Sequence, residues 1–124
     1  ISVIGITLIF MALATLSGCK KRVEKHKIET LKLLYQYYNT KNGIIQCGQI
    51  FECIHEGETV FDFVPHATDA GSTVYNLDCE EIAHCSFVFG ADPICFELEE
   101  REVVYRIADN MWGQPPVDKY NLEP

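Results

Sequence analysis

The chain has 124 residues, six of them cysteine, and a formal net charge of −8 at pH 7. Residues 20–32 carry six basic side chains against Glu24 and Glu29, whereas residues 33–124 carry Lys41, Arg101, Arg106 and Lys119 against sixteen carboxylates. So acidic a body excludes nucleic acid as a partner, because phosphate recognition is built from Lys and Arg, and the length allows one modest domain.

Residues 1–18 contain no charged side chain, and Ala12, Ala14, Thr15, Ser17 and Gly18 cluster toward the end of the run. That is the pattern of the apolar and cleavage regions of a secretory signal. Its end, Leu16-Ser17-Gly18-Cys19, resembles the lipobox of bacterial lipoproteins. The resemblance implies that residues 1–18 are removed as a signal peptide and that the Cys19 sulfur carries a diacylglyceryl group with acyl chains such as palmitate. It also implies a membrane-anchored place in the cell envelope. No basic stretch precedes the run and no Met opens it, so the signal is expected to be incomplete at its N-terminus. An uncleaved membrane span, which needs about 20 apolar residues, and a cleaved signal without lipid stay open as alternatives. Lys20 is not the aspartate associated with inner-membrane retention, so the outer membrane is expected, facing periplasm or exterior. The basic stretch after Cys19 suits anionic headgroups, at about 1 kcal/mol per charge, or a solvated tether.

The organisation expected is therefore signal 1–18, a lipidated Cys19 with basic tether and amphipathic helix over 19–43, and a small acidic domain over 44–124. From Val23 to Asn39, Ile28, Leu31, Tyr35 and Tyr38 recur at helical spacing with Leu34 widening the stripe, and Asn42-Gly43 offers a stop. Ile50–Ile54 and Thr59–Val64, rich in aromatic and β-branched residues, read as a hairpin joined through His55-Glu56-Gly57-Glu58. In the second strand Thr59, Phe61 and Phe63 share one face and Val60, Asp62 and Val64 the other. A third strand follows at Ser72–Tyr75. The stretch from Asn76 to Asp92 reads as irregular, with a short strand at Ser86–Phe89, and Ile94–Glu99 as a helical turn. Glu102–Ile107 is the last strand, with Val103, Tyr105 and Ile107 on one face. An extended tail contains Pro115-Pro116 and is pinned to the body by Trp112. The fold class is α+β, one N-terminal helix on a small, mostly antiparallel sheet braced by disulfides.

The hairpin Gly57-Glu58-Thr59-Val60-Phe61-Asp62-Phe63, followed by Val74-Tyr75-Asn76 and a cysteine-bearing loop, is similar to small uncharacterised lipoproteins of Gram-negative bacteria. The similarity covers residues 50–95 and implies no activity and no functional residues.

With Cys19 given to lipid, Cys47, Cys53, Cys79, Cys85 and Cys95 allow two bridges and one free thiol. An exported chain keeps such bridges. Cys79–Cys85 is the preferred pair, with Cys95 joined to Cys53 or Cys47. No histidine spacing places two imidazoles on one helix face, and no CxxC occurs. Cys53 with His55 forms at most a fragment of a zinc site. Asp69, Asn76, Asp78 and Glu80, with Glu81 nearby, are weak calcium candidates whose spacing departs from the EF-hand pattern. Nucleophile motifs such as GxSxG and SxxK are absent from the sequence. No catalytic residue and no cofactor is expected. The function expected is a non-catalytic interaction or structural module of the envelope with a protein partner there. Alternatives are a calcium- or other ligand-binding accessory protein, or a small enzyme or protease inhibitor presenting residues 79–95.

Overall fold

The apolar stripe of the first helix and the two aromatic strands that follow it need one another, since neither can bury its face alone. A computed structural model, describing residues 2–41, 46–68, 70–86, 88 and 90–124, with side chains from Lys21 onward apart from Lys41, joins them. Helix α1 runs Ser2–Lys41, longer than the expected Val23–Asn39, because no proline occurs before Pro65 to break the preceding apolar run. The Asn42-Gly43 stop lies outside the described residues. In the last turn of α1 the Asn39 Oδ1 accepts the Cys47 backbone N–H at 2.9 Å and fastens the first strand to the helix.

Strands β1 (Cys47–His55) and β2 (Glu58–Pro65) form the expected hairpin, both longer than the sequence pattern suggests. Its two-residue turn has positive φ at Glu56 (51°) and Gly57 (78°), the twist that matches antiparallel strands. Strand β3 (Ser72–Tyr75) falls where expected. Strand β4 (Glu81–Cys85) was not foreseen, and neither Ser86 nor Val88 is in a strand. Residues 87 and 89 lie outside the described set. A 3-10 turn at Pro93–Phe96 replaces the longer helical turn, since β5 (Glu99–Arg106) already begins at Glu99. In β5 Tyr105 faces Ile50 while Val103 faces Phe51, so Val104 is an extra residue in the ladder. The bulge turns Val104, Tyr105 and Ile107 into the core, in place of the expected Val103, Tyr105 and Ile107. A short β6 (Val117–Asp118) pairs with β5.

The six strands make one antiparallel sheet in the order β4-β3-β2-β1-β5-β6. Successive hairpins carry the chain to the β4 edge, so the link from β4 to β5 must return across a face of the sheet. That link, residues 86–98, covers what we term the outer face. Helix α1 covers the inner face. There Leu31, Leu34 and Tyr38 pack on Ile50, Phe61, Phe63 and Tyr105, joined by Leu122 from the tail. Cys53, Val60, Val74 and Ala83 are buried on the outer face, with Ile94, Cys95 and Leu98 of the link packed over them. Both alternations of β2 are thus enclosed. Trp112 pins the tail as expected: its ring lies 5.8 Å from that of His66 and against Gly48, where an added Cβ would come within 2.6 Å of the indole.

Candidate functional site

The cysteines are arranged differently from the expected pairing. Cys85 is bonded to Cys95, ten residues on, and Cys47, Cys53 and Cys79 are free. Cys79 sits in the β3–β4 turn and Cys85 at the far end of β4. A strand rises about 3.3 Å per residue, which puts the preferred Cys79–Cys85 pair well beyond the 7 Å that a bridge can span. Cys95 is paired with neither Cys47 nor Cys53. A register shift between Cys47 and Gln49 puts Cys47 on the inner face, away from the link, whereas Cys53 lies on the outer face with Cys95 packed against its cluster and stays a free thiol. The link is held instead at the sheet edge, where the His84 N–H donates to Asp92 Oδ2 (2.8 Å) and the Asp92 N–H to the His84 carbonyl (3.2 Å). That places Cys95 beside Cys85.

The β3–β4 turn is organised by the Asn76 side chain. Asn76 Oδ1 accepts the N–H groups of Asp78 (2.9 Å) and Glu80 (3.0 Å), and its Nδ2 donates to Glu80 Oε1 at 3.3 Å. The Cys79 N–H reaches the Asn76 carbonyl, and Cys79 takes φ of 61°. This is a hairpin turn closed by a left-handed residue. Asp69 lies outside the described residues. Among those described, no group of three His, Cys, Asp or Glu side chains assembles as a metal site. His55 bonds Glu97 Oε2 at 2.9 Å across from β1, while Cys53 is buried; burial, opposed by Arg101, pushes its thiol up to about 11. Within 79–95 the described residues form a turn, the edge strand β4 and part of the disulfide-tied link. Of Cys19 the helical backbone is described and the side chain is not. Among the described residues no helix is long and apolar enough to cross a membrane, and residues 1–20 fall outside that statement.

The feature with the chemistry of a site is on the outer face. A cavity of about 530 Å³ lies between the sheet and the link. Phe51, Val64 and Leu98 are among its walls, the Cys85–Cys95 bridge is at one side, and Val88 and Phe96 stand exposed at its margin. Asp62 and Arg101 border it. Asp62 Oδ2 accepts from Arg101 Nη1 at 2.8 Å, and the guanidinium lies 3.8 Å over the Phe51 ring. Asp62 is 2% exposed, yet its Oδ1 has no hydrogen-bond partner among the described residues. An unpaired buried oxygen costs about 1–3 kcal/mol.

No family model, curated protein or solved structure matches this chain. The fold and this geometry therefore carry the functional argument. Sequence reasoning placed Asp62 on the face opposite Phe61 and Phe63 without giving it a role. Its partner is 39 residues away, a distance no local pattern bridges. The available signal was the carboxylate itself, the only charged side chain between Thr59 and Val64.

The inner face carries a second polar cluster that joins helix to sheet. Lys27 Nζ lies 3.4 Å from Glu52 Oε2 and 2.9 Å from Glu24 Oε1, and the Tyr120 hydroxyl donates to Glu52 Oε1 at 2.7 Å. Burial acts to lower the Lys27 pKa. The hydrogen bonds to Glu24 and Tyr120 and the charge of Glu52 outweigh it and raise the value. With its partners fully engaged, this cluster is a clasp between α1, β1 and the tail.

Proposed function

We propose that this chain is a lipid-anchored lipoprotein of the bacterial envelope whose globular part is a non-catalytic interaction module. The anchor reading rests on Leu16-Ser17-Gly18-Cys19 at the end of an uncharged run. The observation that carries the module reading is the clasp of α1 on the sheet. Lys27, Thr30, Leu31 and Leu34 already belong to the folded body, so only a short basic segment separates Cys19 from the domain. A lipid on that sulfur would hold the body close to the bilayer, while a carboxylate-rich surface is repelled by anionic headgroups. The Cys85–Cys95 bridge suits an oxidising compartment. Of the free cysteines, Cys47 and Cys53 are buried, and burial raises both thiols. That suits packing better than nucleophilic work.

Intact-mass spectrometry of the membrane fraction, with and without reduction, tests the anchor. The expected species lacks residues 1–18, carries fatty chains on Cys19 and contains one reducible bridge. A native protein that keeps its first eighteen residues, or whose Cys19 sulfur is bare, would overturn the reading. Chemical cross-linking in intact cells tests the module, and reproducible capture of one envelope protein partner is the expected outcome.

A further inference from the structure

The outer face holds a cavity and, among the residues that line it, Asp62, whose buried Oδ1 has no hydrogen-bond partner among the described residues. We propose that together they bind a small uncharged amphiphile, an apolar body ending in a carboxamide. The inference goes beyond the module reading and holds whatever the state of Cys19.

A cavity of about 530 Å³ falls within the range of small-molecule sites, which are mostly apolar with a few placed polar groups. Phe51, Val64 and Leu98 offer the apolar wall, and Phe96, 76% exposed, stands ready to be covered. The charge balance selects the polar end. Arg101 already neutralises Asp62. A cationic ligand would set a second positive charge beside the Arg101 guanidinium. An anionic one would take Arg101 and strand the carboxylate, and a stranded buried charge is strongly unfavourable. A carboxamide avoids both. Its N–H donates to Asp62 Oδ1, supplying the missing bond, and its carbonyl accepts from a guanidinium N–H not used on Asp62. Oδ1 has almost no accessible surface of its own, so the ligand enters only as the Arg101 side chain, 44% exposed, shifts over Phe51 to open it. The carboxamide carbonyl keeps the guanidinium beside the carboxylate, where an anion would draw it away.

The test uses the full chain in lipid nanodiscs and three probes of one shape, benzamide, benzoate and benzylammonium, titrated by ligand-observed NMR. Benzamide is expected to saturate about tenfold more tightly than either charged probe. Asp62→Asn frees the Arg101 charge, so benzoate should overtake benzamide in that variant. Ala91→Trp, which fills the cavity from its lining loop, should abolish benzamide binding without lowering the melting temperature, and it serves if Asp62→Asn fails to fold. Equal affinities for the three probes, tightest binding of benzylammonium, no saturable binding, or undiminished binding to Ala91→Trp would each overturn the proposal.

Discussion

The two faces of one sheet are covered in different ways. On the inner face a helix lays Leu31, Leu34 and Tyr38 across Phe61, Phe63 and Tyr105. The Tyr35 and Tyr105 rings meet edge to face with centroids 5.1 Å apart, and their hydroxyls lie 3.3 Å apart. The Tyr105 hydroxyl donates onward to Glu123 at 2.7 Å. On the outer face a 3-10 turn and irregular chain cover the same strands, leaving a cavity and an unpartnered oxygen. A helix has its own hydrogen bonds and can press an apolar stripe flat onto a sheet. A returning loop must satisfy its backbone as it crosses, so it covers less closely. Packing is concentrated on one face and chemistry on the other.

Side-chain truncation gives the largest contrast. Phe61, fully buried beneath α1, should lose about 3–5 kcal/mol on change to Ala. Leu98, a half-buried residue of the link itself, should lose about 1 kcal/mol. Urea unfolding of both variants measures the difference. Equal losses would mean that the link packs as tightly as the helix.

Alkali should act next, and chiefly on the inner face. Burial raises the phenol pKa values of Tyr35, Tyr38 and Tyr105, assisted in Tyr105 by its bonds to Tyr35 and Glu123. It also raises the Cys47 thiol. On the outer face the Cys53 thiol moves from 9.0 to about 11. A group whose pKa is higher in the folded state keeps its proton there while the unfolded chain loses it. Stability is therefore full below pH 9 and falls as pH rises, for Cys53 between 9 and about 11. Lys27, also raised, acts in the same direction. Denaturant midpoints should be flat from pH 7 to 9 and then drop. Phe replacing Tyr38, whose ring packs 5.5 Å from Phe63, should weaken that drop.

Much of the inner face was legible in the sequence, and little of the outer one. The stripe Leu31, Leu34, Tyr38 has helical spacing, and Phe61 with Phe63 alternates cleanly, so helix and hairpin could be read locally. Strand β4 escaped because Glu81-Ile82-Ala83-His84-Cys85 is an edge strand with only Ala83 buried. Its turn also uses Cys79 where glycine would have announced a left-handed residue. In β5 Tyr105 and Ile107 face the core as their alternation suggests, and only Val103 gives way to Val104, since one inserted residue shifts the alternation before it. The Asp62–Arg101 pair and the Cys85–Cys95 bridge are set by the return path of the chain, which no single segment encodes.

Opening the bridge sharpens the comparison further, since it acts on the outer face alone. Cys85 and Cys95 close a loop with a sequence separation of ten, for which the chain-entropy account gives about 2–3 kcal/mol. The double Cys85→Ala, Cys95→Ala variant should lose that much. Hydrogen exchange should quicken in residues 81–98 and stay unchanged in α1. Uniformly faster exchange would show that the two faces unfold as one unit.

The smallest effect expected is at the β3–β4 turn, outside both packed layers. Asn76→Ala removes the acceptor for the Asp78 and Glu80 N–H groups. Both are exposed and water can replace the lost bonds, so the cost should be about 1 kcal/mol. Millimolar calcium should leave the melting temperature of wild type and variant alike, because the Asn76 oxygen is already occupied by backbone donors. A rise in melting temperature with calcium in wild type, lost in Asn76→Ala, would instead mean that the turn reorganises around a cation. Chemistry would then reside at the sheet edge as well as on its outer face.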